Sequence, residues 1–298
     1  MTLQDFRCCA LVTRYADARV LDSVVLLQAH LAARRVTTIA LADERVPGPP
    51  PAGLDLVDEA TLVERADLVI AIGGDGTLLY AAGLVAERGT PLLGINRGRL
   101  GFLTDVLPED MLATLDAVFA KDCQIDQRTL LTAQLRSGDR LLRGLALNDV
   151  VLQKSETGRL LDFETRVNGR YVNTHGGDGL VIASATGSTA YALSCGGPIV
   201  EPQLDVLVVT PICPHTLSDR TVVVSGRSEI AVTLVDRPDS RALVSCDGRT
   251  LGELLPGDSL TVAQSAFKTT LLHPPGYDYF KLLRSKLHWG RRSFDPPA

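Results

Sequence analysis

The sequence predicts an α/β domain of Rossmann-like type, then a β-sandwich-like domain, then a C-terminal tail that packs back on the first. Three observations predict this. At 298 residues the chain is about twice the commonest domain length. Over residues 1–127 apolar runs of strand length alternate with segments of helical periodicity, the pattern of a parallel sheet covered by helices. Over residues 128–268 the texture changes to short β-rich runs separated by turn residues, and residues 269–298 form the tail.

In order, the first domain reads as a strand at Cys9–Thr13, a helix at Asp22–Arg35 and a strand at Thr37–Ala42. After the turn-rich VPGPPPAG come a strand at Asp67–Ile72, a helix at Thr77–Arg88, a strand at Pro91–Ile95 and a helix at Glu109–Ala120. The second domain reads as strands at Leu130–Leu135, Leu145–Leu152, Phe163–Val167, Leu180–Ala183, Val206–Val209, Thr221–Val224, Ile230–Val235, Leu243–Cys246 and Ser259–Ala263. Asn168-Gly169 and Asp247-Gly248 are hairpin turns of the kind that require positive φ. The tail includes a basic amphipathic stretch, Tyr279–Trp289.

Composition narrows the function classes. A net charge of −5 and a pI near 5.6 argue against a nucleic-acid or anionic-membrane partner, which requires a net or clustered positive field. A phosphorylated small molecule stays open. The six cysteines have neither zinc-site nor disulfide-framework spacing and read as small buried apolar residues of a reducing cytoplasm. No apolar run reaches membrane-helix length, and the N-terminus has no signal pattern.

The most informative run is Gly73-Gly74-Asp75-Gly76-Thr77, after an apolar strand and before a helix. Glycines let the backbone bend tightly and approach a ligand, and backbone N–H groups at a helix N-terminus cradle phosphate. An Asp in such a cradle repels phosphate, so it calls for a reason: a general base for a hydroxyl nucleophile, a magnesium contact, or both. The purely structural alternative is a turn in which Asp75 caps the helix. There is no P-loop and no G-x-G-x-x-G after the first strand, so nucleotide binding by either of those motifs is disfavoured.

Gly176-Gly177-Asp178-Gly179 and the run from Ala185 through Thr189, Ala190, Tyr191, Ala192, Leu193 and Ser194 interleave glycine with small hydroxyl residues. Such a loop suits a planar or sugar ligand, or simply a turn into a helix. Asn148-Asp149 place polar side chains inside a strand-like run, where ribose hydroxyls or an Asx turn would satisfy them. His175 and His215 are read cautiously: His215 could reach a ligand or be a satisfied structural histidine, and it is assigned no catalytic role.

Taken together, GGDGTLL, INRGRLGFLTD, LNDVVL, DGLVIASATGSTAYALSCGGPIV and CPHTLSDRTVVV resemble, in order, the signature blocks of bacterial NAD kinases, with SCDG and HPPGYDYF extending the match. GGDGT alone also resembles a motif of lipid and sugar kinases. The resemblance implies phosphoryl transfer from ATP, or polyphosphate, to the adenosine ribose 2′-hydroxyl of NAD, giving NADP. It implies Asp75 as catalytic base, with Gly74, Gly76 and Thr77 near the phosphates and Mg²⁺. It implies Asn148 and Asp149 on ribose hydroxyls, Asp178 with Gly176 near the nicotinamide amide, and Thr189–Ser194 around adenine and ribose. Phe102 would line the pocket, and Arg159 and Arg249 would approach the ligand. A site in the cleft between two domains and a homotetramer or homodimer are implied as well.

Two positions depart from the family pattern. Ala185 stands where Pro is usual, which predicts a less rigid loop. Gly176 stands where some relatives carry Arg, so the resemblance does not set the choice of NAD⁺ over NADH or of ATP over polyphosphate. A non-catalytic NAD-binding sensor is the rival from another class.

Overall fold

The computed structural model describes residues 5–13, 18–42, 53–98, 101–155, 161–236 and 240–289. Most of the expected VPGPPPAG turn, the end of the tail and Arg159 lie outside the described residues. The chain divides into two compact units, one of Met1–Asp126 with Thr270–Ala298 and one of Gln127–Thr269.

The elements run β1 (Cys8–Thr13), α1 (Ala18–Ala33), β2 (Thr37–Leu41), β3 (Asp55–Val57), α2 (Glu59–Arg65), β4 (Leu68–Gly73), α3 (Asp75–Val85), β5 (Leu92–Asn96) and α4 (Met111–Phe119). They continue with β6 (Gln124–Ser137), β7 (Arg140–Ala146), β8 (Asp149–Lys154), β9 (Leu161–Val167), β10 (Arg170–Gly177), β11 (Gly179–Ser184), α5 (Tyr191–Ser194), β12 (Val206–Ile212) and β13 (Val222–Ser225). The last are β14 (Ile230–Leu234), β15 (Ala242–Cys246), β16 (Arg249–Leu254), β17 (Ser259–His273) and α6 (Tyr279–Leu287).

In the first unit the sheet order is β3-β2-β1-β4-β5 with the end of β17 beside β5, every pair parallel. Alternate strand residues explain its layers. Cys9, Leu11, Leu68, Ile70, Ile72, Leu93 and Ile95 join Val24, Leu27 and Leu31 of α1 and Met111, Leu115 and Val118 of α4 in one core. The intervening Ala10, Val12, Val69 and Ala71 are buried as well, because parallel strands are covered on both faces. In this order β1 and β4 are neighbours whose chains leave toward opposite edges, β1 to β2 and β4 to β5. A doubly wound sheet binds ligands at the carboxyl ends of such a pair.

The second unit is two antiparallel sheets face to face. One has the order β13-β12-β11-β8-β15-β16; the other contains β10-β9-β14-β17 and the β6–β7 hairpin. Val150, Leu152, Leu180 and Ile182 of the first sheet meet Phe163, Ile230, Val232, Leu260 and Val262 of the second. The alternate residues Val151, Val181 and Ala183 form a separate core with Ala185, Ala192 and Val200, so β8 and β11 are covered on both faces.

Several expectations need correction. The run Leu145–Leu152 is two strands, broken at Leu147-Asn148 where Asp247 takes the backbone N–H groups. Helix α3 begins at Asp75, two residues early, and β6 and β17 are longer than read. Four elements were missed: β3, α2, β10 and β16. The cysteines are not uniformly buried, since Cys213 is exposed and only Cys9 and Cys246 are in the buried class. All six are free thiols.

Candidate active site

At the switch between β1 and β4, the Thr13 hydroxyl donates to the Ile72 carbonyl at 2.6 Å, tying the two strand ends together. The chain then turns through Gly73, where a Cβ would fall 2.6 Å from Thr77 Oγ1, so the turn itself demands glycine there. Gly74 and Gly76 differ. A Cβ on either would meet nothing within 4 Å and both are exposed, so the protein's own packing does not explain their small size. The N–H groups of Asp75 and Gly76 open α3 and have no intrahelical acceptor, whereas that of Thr77 is already given to the Gly74 carbonyl at 2.9 Å.

Asp75 does not cap its helix. The N-cap is Gly74, with no side-chain capping bond. Its carboxylate is held instead by the loop after β5. Phe102 N–H donates to Oδ2 at 2.8 Å, while Leu103 N–H, Thr104 N–H and the Thr104 hydroxyl donate to Oδ1 at 3.1, 3.0 and 3.0 Å. A carboxylate offers about four acceptor directions, and three of these donors converge on one oxygen. Gly101 lets the loop close, since a Cβ there would fall 1.8 Å from Oδ1. Lys286 of α6 lies over the Phe102 ring, 5.5 Å from its centroid.

The second unit gathers most of the remaining candidates around another carboxylate. Asp247, at the β15–β16 turn, accepts the N–H groups of Leu147, Asn148 and Asp149 at 2.7, 2.9 and 3.1 Å. The Ser184 hydroxyl donates to the Leu147 carbonyl at 2.6 Å and accepts Gly187 N–H at 3.2 Å, joining this turn to the loop after β11. Asp149 is buried and accepts the backbone N–H of Tyr191. Burial first, and the charge of Asp247 second, push its carboxyl up to about 7 despite that bond.

Residues 20–123 match the family model described as the ATP-NAD kinase N-terminal domain, and residues 147–273 the model of the C-terminal domain. The chain belongs to the NAD kinase family. It is 41% identical to the NAD kinase of Pseudomonas putida over 291 residues, covering 97% of this chain and 98% of the relative. It is 42% identical to that of Acinetobacter baylyi, covering 97% and 94%. Among solved structures, yeast NADH kinase complexed with NADH matches in fold with a TM-score of 0.88 at 24% identity, over 98% of this chain and 91% of that one. An NAD kinase from Archaeoglobus fulgidus in complex with ATP matches with a TM-score of 0.75 at 26% identity, over 94% and 98%. The chain is thus an ATP-dependent NAD kinase that phosphorylates NAD to NADP.

Within this NAD kinase fold the loop after β11 is firmly held although Ala185 replaces Pro. The buried Ser188 hydroxyl lies 2.7 Å from the Ala185 carbonyl and accepts Val200 N–H at 3.0 Å. Thr189 bonds the Thr186 carbonyl at 3.3 Å. Ala192 is wholly buried and offers a ligand no side chain, whereas Tyr191 and Ser194 are exposed and Thr189, Ala190 and Leu193 half-buried. Asp178 is paired with Lys154 Nζ at 2.5 Å, a partner the sequence reading did not single out. Nothing local in the sequence signals it: the pairing of β8 with β11, which sets Gln153 against Gly179, brings the two together. The Gly176 carbonyl accepts His215 N–H at 2.8 Å, and Arg249 opens β16 beside Asp247, where its charge opposes the effect of burial on that carboxyl. His175 is structural: it is buried, bonded to Asp219 at 3.1 Å and stacked on Phe163.

Thr104, Gly101 and the role of Asp247 also escaped the sequence reading. The signal was the unexplained polar content of GFLTD and SCDG: buried polar groups call for partners.

Proposed function

We propose that Asp75 is the general base of this NAD kinase and takes the proton of the adenosine ribose 2′-hydroxyl while the γ-phosphoryl group of ATP is transferred to that oxygen. One observation bears most of the weight: a carboxylate that, among the described residues, takes three donors on Oδ1 and a single one on Oδ2 stands at the carboxyl edge of a parallel sheet between two glycines whose Cβ directions are open. Phosphoryl transfer asks chiefly for position and charge neutralisation. The free N–H groups at the start of α3 take up phosphate charge.

Mg²⁺ accompanying ATP would be held by the phosphates and its own waters beside Gly74, Gly76 and Thr77, because the remaining Oδ2 direction of Asp75 is kept for the reacting hydroxyl. When bound it neutralises charge on the β- and γ-phosphates. Oδ1 has no room for it, so bidentate chelation by Asp75 is excluded on this reading.

Asn148 and Asp149 hold ribose hydroxyls, Asp178 and Gly176 lie toward the nicotinamide amide, and Thr189–Ser194 contribute to the adenine and ribose contacts. Of these Ala192 acts through its backbone alone. Phe102 and Arg249 flank the ligand, and Arg159 keeps the role its family position implies. The free thiols support a cytoplasmic setting. Among the described residues no helix is long and apolar enough to cross a membrane. The assembly proposed is a homotetramer or homodimer.

The test is acceptor specificity with ATP and Mg²⁺. NAD should be phosphorylated faster than any diacylglycerol, sphingoid base or sugar phosphate, and the product should be reduced to NADPH by an NADP-specific dehydrogenase, which reads the 2′-position. Faster turnover of a lipid or sugar would reverse the assignment; tight NAD binding without ATP turnover would favour the sensor.

A further inference from the structure

Asp75 is held by more than its loop's backbone. The Thr104 side chain is fully buried, and its hydroxyl sits between two partners: it accepts from Asn96 Nδ2 at 3.0 Å and lies 3.0 Å from Asp75 Oδ1. Asn96 is buried at the end of β5, and its Oδ1 accepts Gly98 N–H at 2.7 Å. That bond fixes the amide orientation, so Nδ2 is the end that faces Thr104. A hydroxyl has one hydrogen. With the Asn96 donor occupying a Thr104 lone pair, that hydrogen is committed to Asp75 Oδ1. Among the described residues Oδ1 therefore receives three donors, with Gly101 so near that a Cβ there would fall 1.8 Å from it, while Oδ2 receives one.

We propose that Thr104, oriented by Asn96, is a positioning residue that immobilises Asp75 Oδ1 and so presents Oδ2 as the oxygen that meets the reacting hydroxyl. The inference rests on Asp75 being the base. In the transfer the ribose O–H bond breaks, its proton goes to Oδ2, the ribose oxygen bonds the γ-phosphorus, and the β,γ-bridging oxygen leaves with ADP. The carboxylate must be held at one rotation about χ2 for that geometry, and the three Oδ1 bonds, with the Phe102 N–H on Oδ2, fix it. Thr104 touches no substrate; it acts through Asp75.

The experiment compares Thr104→Val, Thr104→Ser, Asn96→Asp and Asp75→Asn with wild type in steady-state NADP formation and thermal unfolding. Thr104→Val keeps the shape and deletes the hydroxyl. We expect kcat to fall on the order of tenfold or more, the scale of a lost hydrogen bond to a charged group, with KM for NAD and ATP within about twofold. Thr104→Ser should restore kcat. Asn96→Asp keeps the Gly98 bond but offers Thr104 a competing acceptor, and should lower kcat in the same direction. If Thr104→Val does not fold, Thr104→Ala with Asn96→Asp provides the same comparison. A Thr104→Val enzyme with wild-type kcat, or a Ser variant as impaired as the Val variant, overturns the inference while Asp75→Asn remains inactive. An active Asp75→Asn enzyme overturns the reading of Asp75 itself.

Discussion

The carboxyl of Asp149 is 6% exposed and lies near the carboxylate of Asp247, whose own carboxyl is raised by burial against three backbone N–H bonds and Arg249. Around Asp149 stand Cys246 of β15 and Cys195 after α5, neither of which supplies positive charge. Its raised value, about 7, means that between about pH 4 and 7 the native state binds more protons here than the unfolded chain. Stability therefore falls as pH rises through that window, and the loss is complete above it. Asp149→Asn should stabilise the protein at pH 8 relative to pH 4.5, by an amount on the order of a few kcal/mol. Urea unfolding at both pH values measures it, and an unchanged difference would contradict the assignment. Perturbed carboxyls of this kind concentrate at working sites. The sequence showed that Asn148-Asp149 needed partners; it did not show that one of them, Asp247, would be another acid a hundred residues away.

The loop from Gly101 to Thr104 is an element without regular structure whose whole course is set by one carboxylate. Gly101→Ala brings a Cβ within 1.8 Å of Oδ1, so the loop and Asp75 must part. We expect a folded protein with thermal stability lowered modestly and NADP formation lowered at least tenfold, checked by circular dichroism beside the steady-state assay. Elsewhere, local chemistry was legible. Asn168 and Gly169 take φ of 51° and 74°, and Asp247 and Gly248 take 47° and 75°, as their dipeptides demand. The partner strands of those hairpins, β10 and β16, were missed because their own sequences, RYVNTHGG and RTLGEL, are polar and largely solvent-facing. Helix α2 was missed although Asp58 caps it through Thr61 N–H at 2.8 Å, because seven residues give too little periodicity to register.

For the molecule as a whole, the fold class was legible because parallel and antiparallel sheets leave different patterns: continuous apolar runs in β1, β4 and β5, shorter alternating ones in β9, β14 and β15. Long-range pairing was not, because nothing local states that the end of β17 joins β5. Such pairing brings His273, near the chain's end, to Asp105 at 2.9 Å and Asp126 at 3.5 Å, with Tyr277 stacked on its ring. Burial disfavours the charged imidazole, but hydrogen bonds and charge from both carboxylates outweigh it and raise its pKa. Stability from this group is full below about pH 6.5 and is lost as pH rises through the higher folded value. His273→Asn should therefore flatten the decline in thermal midpoint between pH 6.5 and 8.5 while lowering the midpoint at pH 6. NADP formation from NAD, ATP and Mg²⁺ by the wild-type protein beside Asp75→Asn tests the role of Asp75 most directly. With Asp75 as the base, the variant should fold, still bind NAD and turn over about a hundredfold more slowly or worse; a variant that forms NADP at nearly the wild-type rate would contradict that role.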